Sequence, residues 1–256
     1  MNLKEKNVLV TGIASNRSIS YAIAKILHEN KANVIISYQN ERLKDRVLKL
    51  RDELNIENDA YQCDLSSDSE IDNLRDQIHK SCGNLDGIIH SAAFAPRDHL
   101  DGKYLDNITR EGFITAHDIS SYSLTALCKA FENNLNTSSS VVTLSYLGAE
   151  KVVQNYNIMG VAKASLEASI KYLADSLGKN KTRVNAISAG PIKTLAAAGI
   201  SDFNKILEIY EQKSPIKSNI NTDDVAKVAY FLISDLSLAI TGQTLYVDNG
   251  FNIMGY

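Results

Sequence analysis

Proline occurs three times in 256 residues, at Pro96, Pro191 and Pro215, and no repeat or low-complexity tract accompanies it, which argues against a flexible linker. Cysteine is equally scarce. Cys63, Cys82 and Cys128 form no C-x-x-C and have no histidine at metal-ligand spacing, so a metal centre is not expected and free thiols in a reducing cytoplasm are. No stretch approaches 18 consecutive apolar residues, so no membrane span is expected. The opening M-N-L-K-E-K-N-V-L-V-T-G enters a strand almost at once and lacks the basic, apolar, small-residue succession of a signal peptide. There is no basic stripe either: the net charge of −3 speaks against nucleic acid as a partner, so any phosphate ligand must be held locally.

What the chain does have is apolar content, 44% against 22% charged, enough at this length to bury one α/β core. Short β-branched runs at 7–11, 33–37, 60–63, 87–90, 141–145, 183–188 and 244–247 alternate with helical stretches. Seven strands separated by helices predict a single-domain α/β fold with a doubly wound, Rossmann-type, seven-stranded parallel sheet covered on both faces.

The first strand runs into T-G-I-A-S-N-R-S-I, where a doubly wound fold places a pyrophosphate. Gly12 permits a tight turn, and a helix starting near Ser18 and Ile19 aims free N–H groups at an anion. A full G-x-G-x-x-G is absent, so a capped helix start or a methyltransferase loop fits the bare motif as well. Gln39, about 20 residues on, stands where an acidic residue would grip the adenosine ribose. It can hydrogen-bond a ribose, and Arg42 can attract a 2′-phosphate. Asp64 closes the third strand, as an acceptor for an adenine amino group or as a helix cap. The fourth strand ends in H-S-A-A-F-A-P, whose small residues leave room for a flat ligand. The run 109–134 reads as one long helix, in which His117 and Asp118 cannot face each other.

The stretch Ser145 to Lys163 concentrates the chemistry. Tyr146 follows a buried strand, and Tyr156 opens a helix predicted to run to Gly178. Tyr156 and Lys163 are seven residues apart, which at about 100° per residue returns the side chain to within about 20° of its starting direction. An ammonium beside a phenol that hydrogen-bonds an oxyanion stabilises the negative charge. A core tyrosine with a solvated lysine is the bland alternative. Downstream, the turn at Gly190-Pro191 exposes Ile192 and Thr194 to the same crevice, and residues near 194–215 read as a lid over an apolar substrate or as a packed helical excursion.

These residues together resemble the short-chain dehydrogenase/reductase superfamily and, more closely, its type I enoyl-acyl-carrier-protein reductases. The resemblance covers almost the whole chain and rests on T-G-I-A-S-x-x-S-I, H-S-x-x-F-A-P-R-D, L-S-Y-L-G-A-E-K, N-Y-N-x-M-G-x-A-K-A-S-L-E-A and R-V-N-A-I-S-A-G-P-I-K-T-L-A-A. It implies NADH-dependent reduction of a trans-2-enoyl thioester in fatty acid biosynthesis. Tyr156 would hydrogen-bond the enolate oxygen, Lys163 the nicotinamide ribose, and Tyr146 would close the pocket. The implied cofactor contacts are Gly12, Ser18, Ile19, Gln39, Asp64, Leu65, Ala92, Lys163, Ile192, Lys193, Thr194, Leu195 and Ala196, with Ala95, Tyr146 and Tyr156 touching substrate. Acyl carrier protein is the implied partner and a homotetramer the implied assembly, with Lys151, Lys193 and Lys205 as candidate carrier contacts. Ala92-Ala93, Val152-Val153-Gln154 and Asn249 depart from the family pattern, and none touches Tyr146, Tyr156 or Lys163. A ketoreductase of the same superfamily and an NAD(H)-binding protein without turnover are the competing readings.

Overall fold

The computed structural model describes residues 3–195 and 197–255. Alternation of side chains along each strand builds two cores at once. In β1 (Asn7–Val10), Val8 and Val10 face one layer and Leu9 the other, and in β2 (Asn33–Tyr38), Val34 and Ile36 oppose Ile35 in the same way. All six are essentially buried, which a parallel sheet covered on both faces requires. Each such side chain contributes roughly 1.5–3 kcal/mol of burial free energy.

Between the strands lie α1 (Ile19–Glu29), α2 (Glu41–Glu53) and, after β3 (Ala60–Gln62), α3 (Asp68–Cys82). β4 (Leu85–His90) is followed by the short α4 (Tyr104–Asn107), α5 (Arg110–His117) and α6 (Ser123–Phe131). Then come β5 (Leu135–Ser145), α7 (Asn157–Leu177), β6 (Arg183–Ala189), α8 (Phe203–Lys213), α9 (Thr222–Ile233) and β7 (Thr244–Val247). The strands are parallel in the order β3-β2-β1-β4-β5-β6-β7, the doubly wound arrangement expected, with its reversal between β1 and β4. Helices α1, α2 and α9 supply one core; α3, α6 and α7 supply the other.

Two expectations need correction. The run 109–134 is not one uniform helix: a π turn at Asp118–Tyr122 separates α5 from α6. Ser120, buried in that turn, accepts from the Phe94 N–H over 2.9 Å and donates to the Phe94 carbonyl over 3.0 Å, so the widened turn serves the loop after β4. The fifth strand begins at Leu135 rather than near 141, six residues early, because its polar start is satisfied inside the protein. Ser139 Oγ lies 2.7 Å from Thr182 Oγ1, and Ser140 Oγ donates to Leu232 O over 2.7 Å.

Candidate active site

A cleft of about 390 Å³ opens at the carboxyl ends of the strands, at the reversal of strand order. Gly12 sits at its floor with φ +80°, and a Cβ there would run into the Ser91 carbonyl, so only glycine allows the loop after β1 to pass β4 so closely. Ser18 stands at the start of α1, but its hydroxyl turns back to accept from the N–H groups of Ala14 (3.2 Å) and Ser15 (3.1 Å), which fixes the loop. At the far end of the cleft, Gln39 Nε2 donates to Asp64 Oδ2 over 3.3 Å. Burial works against ionisation of Asp64, but hydrogen bonds from the Ser66 N–H, the Ser66 hydroxyl and Gln39 prevail and hold its carboxyl below the usual range. Asp64 does not cap α3; Ser67 does, accepting from Glu70 N.

Of the expected cofactor contacts, Gly12, Ser18, Ile19, Gln39, Asp64, Leu65, Ala92, Lys163, Thr194 and Leu195 line this one cleft. Ile192 and Lys193 do not: they line a second, wider depression beside α8, with Arg17, Glu208 and Asn221. They are tied to the cleft by Thr194, which lines it and whose N–H donates to Ile192 O over 2.8 Å. Ala196 lies outside the described residues. Thr11, Ser91, Phe94 and Ile119 line the cleft without having been anticipated; Ile119 reaches it from the π turn.

Lys163 lines the cleft beside Leu144 and Ser145, whereas Tyr146 and Tyr156 are not among its lining residues. Lys163, 5% exposed on α7, donates from Nζ to the Leu144 carbonyl over 2.7 Å. Burial pulls its ammonium down to about 8, and the Glu167 carboxylate one turn on opposes that fall. Tyr156 precedes α7 at φ −111°, ψ −28°, and burial, then Tyr146 and Glu167, push its phenol well above the ordinary range. Tyr146 meets Tyr156 edge-on, ring centroids 4.8 Å apart at 72°. The close fit depends on two glycines. A Cβ on Gly148 would overlap the Tyr156 ring, and one on Gly160 would stand 2.7 Å from the Gly148 carbonyl. Ala95 is buried in a small cluster with Met159, against which Tyr156 packs. The segment before α7 is held by Asn157, whose amide donates to the carbonyls of Leu100, Asp101 and Gly102, and by Asn155, which donates to Ser201 O over 3.1 Å.

Three further groups escaped sequence reasoning. Glu167 accepts from Ser145 Oγ; Tyr210 of α8 donates to the Tyr146 hydroxyl; and His90 lies fully buried between Thr143 Oγ1 and Ser123 Oγ, 2.8 Å from each. Ser123 spends its proton on Ile119 O, which assigns the histidine proton to Nε2 and the lone pair to Nδ1. Burial, and then the Lys163 charge, hold this imidazole neutral, down to about 3. No local pattern marks these residues, because each partner lies at least 22 positions away. His117 stacks on Phe113 and bonds its carbonyl, away from Asp118. Cys63 and Cys128 are free, and burial raises both thiols to about 12. Among the described residues no group of three His, Cys, Asp or Glu is arranged to hold a metal ion.

A family model described as enoyl-(acyl carrier protein) reductase matches residues 12–252. The enoyl-[acyl-carrier-protein] reductase [NADH] of Escherichia coli (strain K12) is 49% identical over 251 residues, 98% of this chain and 95% of that protein. The crystal structure of the Bacillus cereus enoyl-acyl carrier protein reductase with NADP+ and indole naphthyridinone superposes with a TM-score of 0.96 at 43% identity, covering 100% of both chains. The Anaplasma phagocytophilum reductase in complex with NAD gives a TM-score of 0.95 at 41% identity, over 99% of this chain and 96% of that one.

Proposed function

The chain belongs to the enoyl-(acyl carrier protein) reductase family, and we infer from that membership and from the cleft that it reduces the trans-2 double bond of enoyl thioesters with NADH in fatty acid biosynthesis. The observation that carries the chemistry is buried Lys163 lining the cleft beside Leu144 and Ser145, with Tyr146 next in the chain and its ring against that of Tyr156.

The residues present fit a nicotinamide dinucleotide. Gly12 lets the loop after β1 lie against the Ser91 carbonyl, and the loop of Ala14 and Ser15 is fixed at the start of α1, where N–H groups and the helix dipole suit a pyrophosphate. Gln39 and Asp64 offer a donor and acceptors for the adenosine end, and Lys163 has two donor protons at the other beyond the one given to Leu144 O. When bound, NADH supplies the hydride that the β-carbon of the enoyl thioester accepts.

As that happens, charge develops on the thioester oxygen, and the Tyr156 phenol is the donor assigned to it. A neutral phenol with a raised pKa keeps its proton across the working pH range, so it is always available to donate. Lys163 lowers the energy of negative charge at the same end and orients the ribose. Tyr146 walls the acyl side beside Tyr156.

Residues 194–215 are assigned as the substrate lid, with Asn155 to Ser201 and Tyr210 to Tyr146 as its latches. Acyl carrier protein is the substrate's bearer. Of the three lysines considered for it, Lys151 donates to Asn252 O and Lys205 pairs with Asp202, so Lys193 is the stronger carrier contact. A homotetramer is supported by exposed Phe113, Ile114, Tyr122, Val161 and Tyr172 along α5, the π turn and α7. A cytoplasmic site of action accords with the free cysteines, and no described helix is long and apolar enough to cross a membrane.

The direct test is absorbance at 340 nm with a trans-2-enoyl thioester, running NADPH and a 3-ketoacyl thioester in parallel. Consumption of NADH with the enoyl substrate alone is the expected result. Turnover of the ketoacyl arm alone would make the protein a ketoreductase, and silence in every arm would leave it a cofactor-binding protein.

A further inference from the structure

Helix α8 is exposed along most of its length, and among its described residues Tyr210, 5% exposed, is the buried one. Its ring lies flat on Phe251, with centroids 3.7 Å apart and planes 15° from parallel. Phe251 is itself fixed. The Asp248 carboxylate accepts from the N–H groups of Gly250 (3.0 Å) and Asn252 (2.8 Å), and Lys151 Nζ reaches from the loop after Tyr146 to donate to Asn252 O over 2.9 Å. Three separate pieces of chain therefore meet at Tyr210: the lid helix, the C-terminal turn and the loop that begins at Tyr146.

The hydroxyl is where this packing acquires a chemical direction. Tyr210 donates to the Tyr146 hydroxyl over 3.3 Å. A phenol has one proton, so with its oxygen accepting from Tyr210, Tyr146 keeps its own proton for an acceptor elsewhere. A hydroxyl that accepts a hydrogen bond is also a better donor. The separation is long for an O–H···O bond, as catalytic contacts often are before substrate tightens them. Helix α8 is the element able to tighten it, because that bond spans the lid and the floor of the site.

We propose that Tyr210 is a positioning residue for Tyr146: its hydroxyl, held in place by the stack on Phe251, turns the Tyr146 proton toward the acyl thioester when α8 is seated. The inference rests on the reductase reading and deepens it by naming a residue through which the lid acts on the site. A stack without the hydroxyl would seat the lid just as well, so the two roles separate cleanly in Tyr210→Phe, which keeps the ring and removes the bond.

The test uses the full chain with crotonyl coenzyme A and NADH. Tyr210→Phe is expected to lower kcat about 3- to 10-fold, the size of one lost hydrogen bond, with KM within about twofold of the parent. Tyr146→Phe combined with Tyr210→Phe is expected to be no slower than Tyr146→Phe alone, since both changes remove the same contact. A Tyr210→Phe variant as fast as the parent, or a double variant whose losses multiply, overturns the proposal. A readout independent of turnover comes from protein carrying tyrosine labelled with carbon-13 at Cζ. The resonance that disappears in Tyr146→Phe is expected to shift in Tyr210→Phe. If it stays in place the contact is refuted, whether or not the protein oxidises NADH, and so this failure is distinguishable from failure of the reductase reading.

Discussion

Ser145 Oγ donates to Glu167 Oε1 across 2.5 Å, joining the last residue of β5 to α7 one turn beyond Lys163. Burial raises the Glu167 carboxyl; the Ser145 hydroxyl opposes that rise, Glu150 adds to it, and Lys163 and Lys171 oppose it. Lys163 acts electrostatically on the neutral His90 imidazole and is itself acted on by this one carboxylate. Replacing Glu167 by Gln removes the group that keeps the Lys163 ammonium from falling further below about 8. Because the charged lysine is the form assigned to the reaction, the basic limb of kcat/KM is expected to move to lower pH by roughly one unit. A profile from pH 6 to 10 that does not move would show that Glu167 leaves Lys163 untouched.

The same lysine predicts a stability effect of opposite sense to its catalytic one. The unfolded chain holds the Lys163 proton up to its ordinary value of 10.5, while the folded chain releases it near 8. Between those values the unfolded state binds more protons, so this group's penalty is fully present below about 8 and is relieved as pH rises toward 10.5. Lys163→Met is expected to abolish turnover and to raise stability at pH 7 by about 1 kcal/mol, an advantage that shrinks by pH 10. Urea midpoints at the two pH values check it; a variant less stable at pH 7 would contradict the cost of burial.

Tyr156→Phe removes one donor and no packing. Turnover is expected to fall by about 10² to 10³, the usual loss for one oxyanion donor. The melting temperature should change little, since the ring keeps its contacts with Tyr146 and the Gly148 face. Single-turnover kinetics with crotonyl coenzyme A measure the first quantity and calorimetry the second.

Gly148→Ala should produce the complementary pattern. The added methyl overlaps the Tyr156 ring, so the ring must leave its position or the loop must move. A loss of about 1–3 kcal/mol in stability accompanies such overpacking. Activity should drop about as far as in Tyr156→Phe although every catalytic group is present. Full activity in this variant would mean that Tyr156 works from a different position.

The fold was legible because the strands alternate so regularly. Val8, Leu9 and Val10 already announce two faces, and the helix bearing Tyr156 and Lys163 differs from expectation by one residue at each end. Legibility fails where polar atoms are satisfied by distant partners. The L-N-T-S-S-S start of β5 looks like a loop until Thr182 and Leu232 are seen beside it, and an irregularity in its register, with Ser138 at φ +68°, hides its phase as well. Strand ends alone brought Gln39 and Asp64 to the cleft, whereas Ile192 and Lys193 line the neighbouring depression, because side-chain direction after a turn is not encoded in a period. Tyr210 gave no sign in I-L-E-I-Y-E, where several apolar residues compete to face inward.

The π turn at Asp118–Tyr122 makes the helical segment between α5 and α6 a counting device. Its surplus residue can be lost without breaking the rod, because the turn would close into an ordinary α turn. The upstream half would then rotate by about 100° relative to the downstream half. Ala116 would swing out of the cluster that packs against Tyr156, and Ser120 would release both bonds to Phe94. A single-codon deletion here would thus leave helicity intact and detune the pocket, a lesion that circular dichroism would overlook and substrate kinetics would expose.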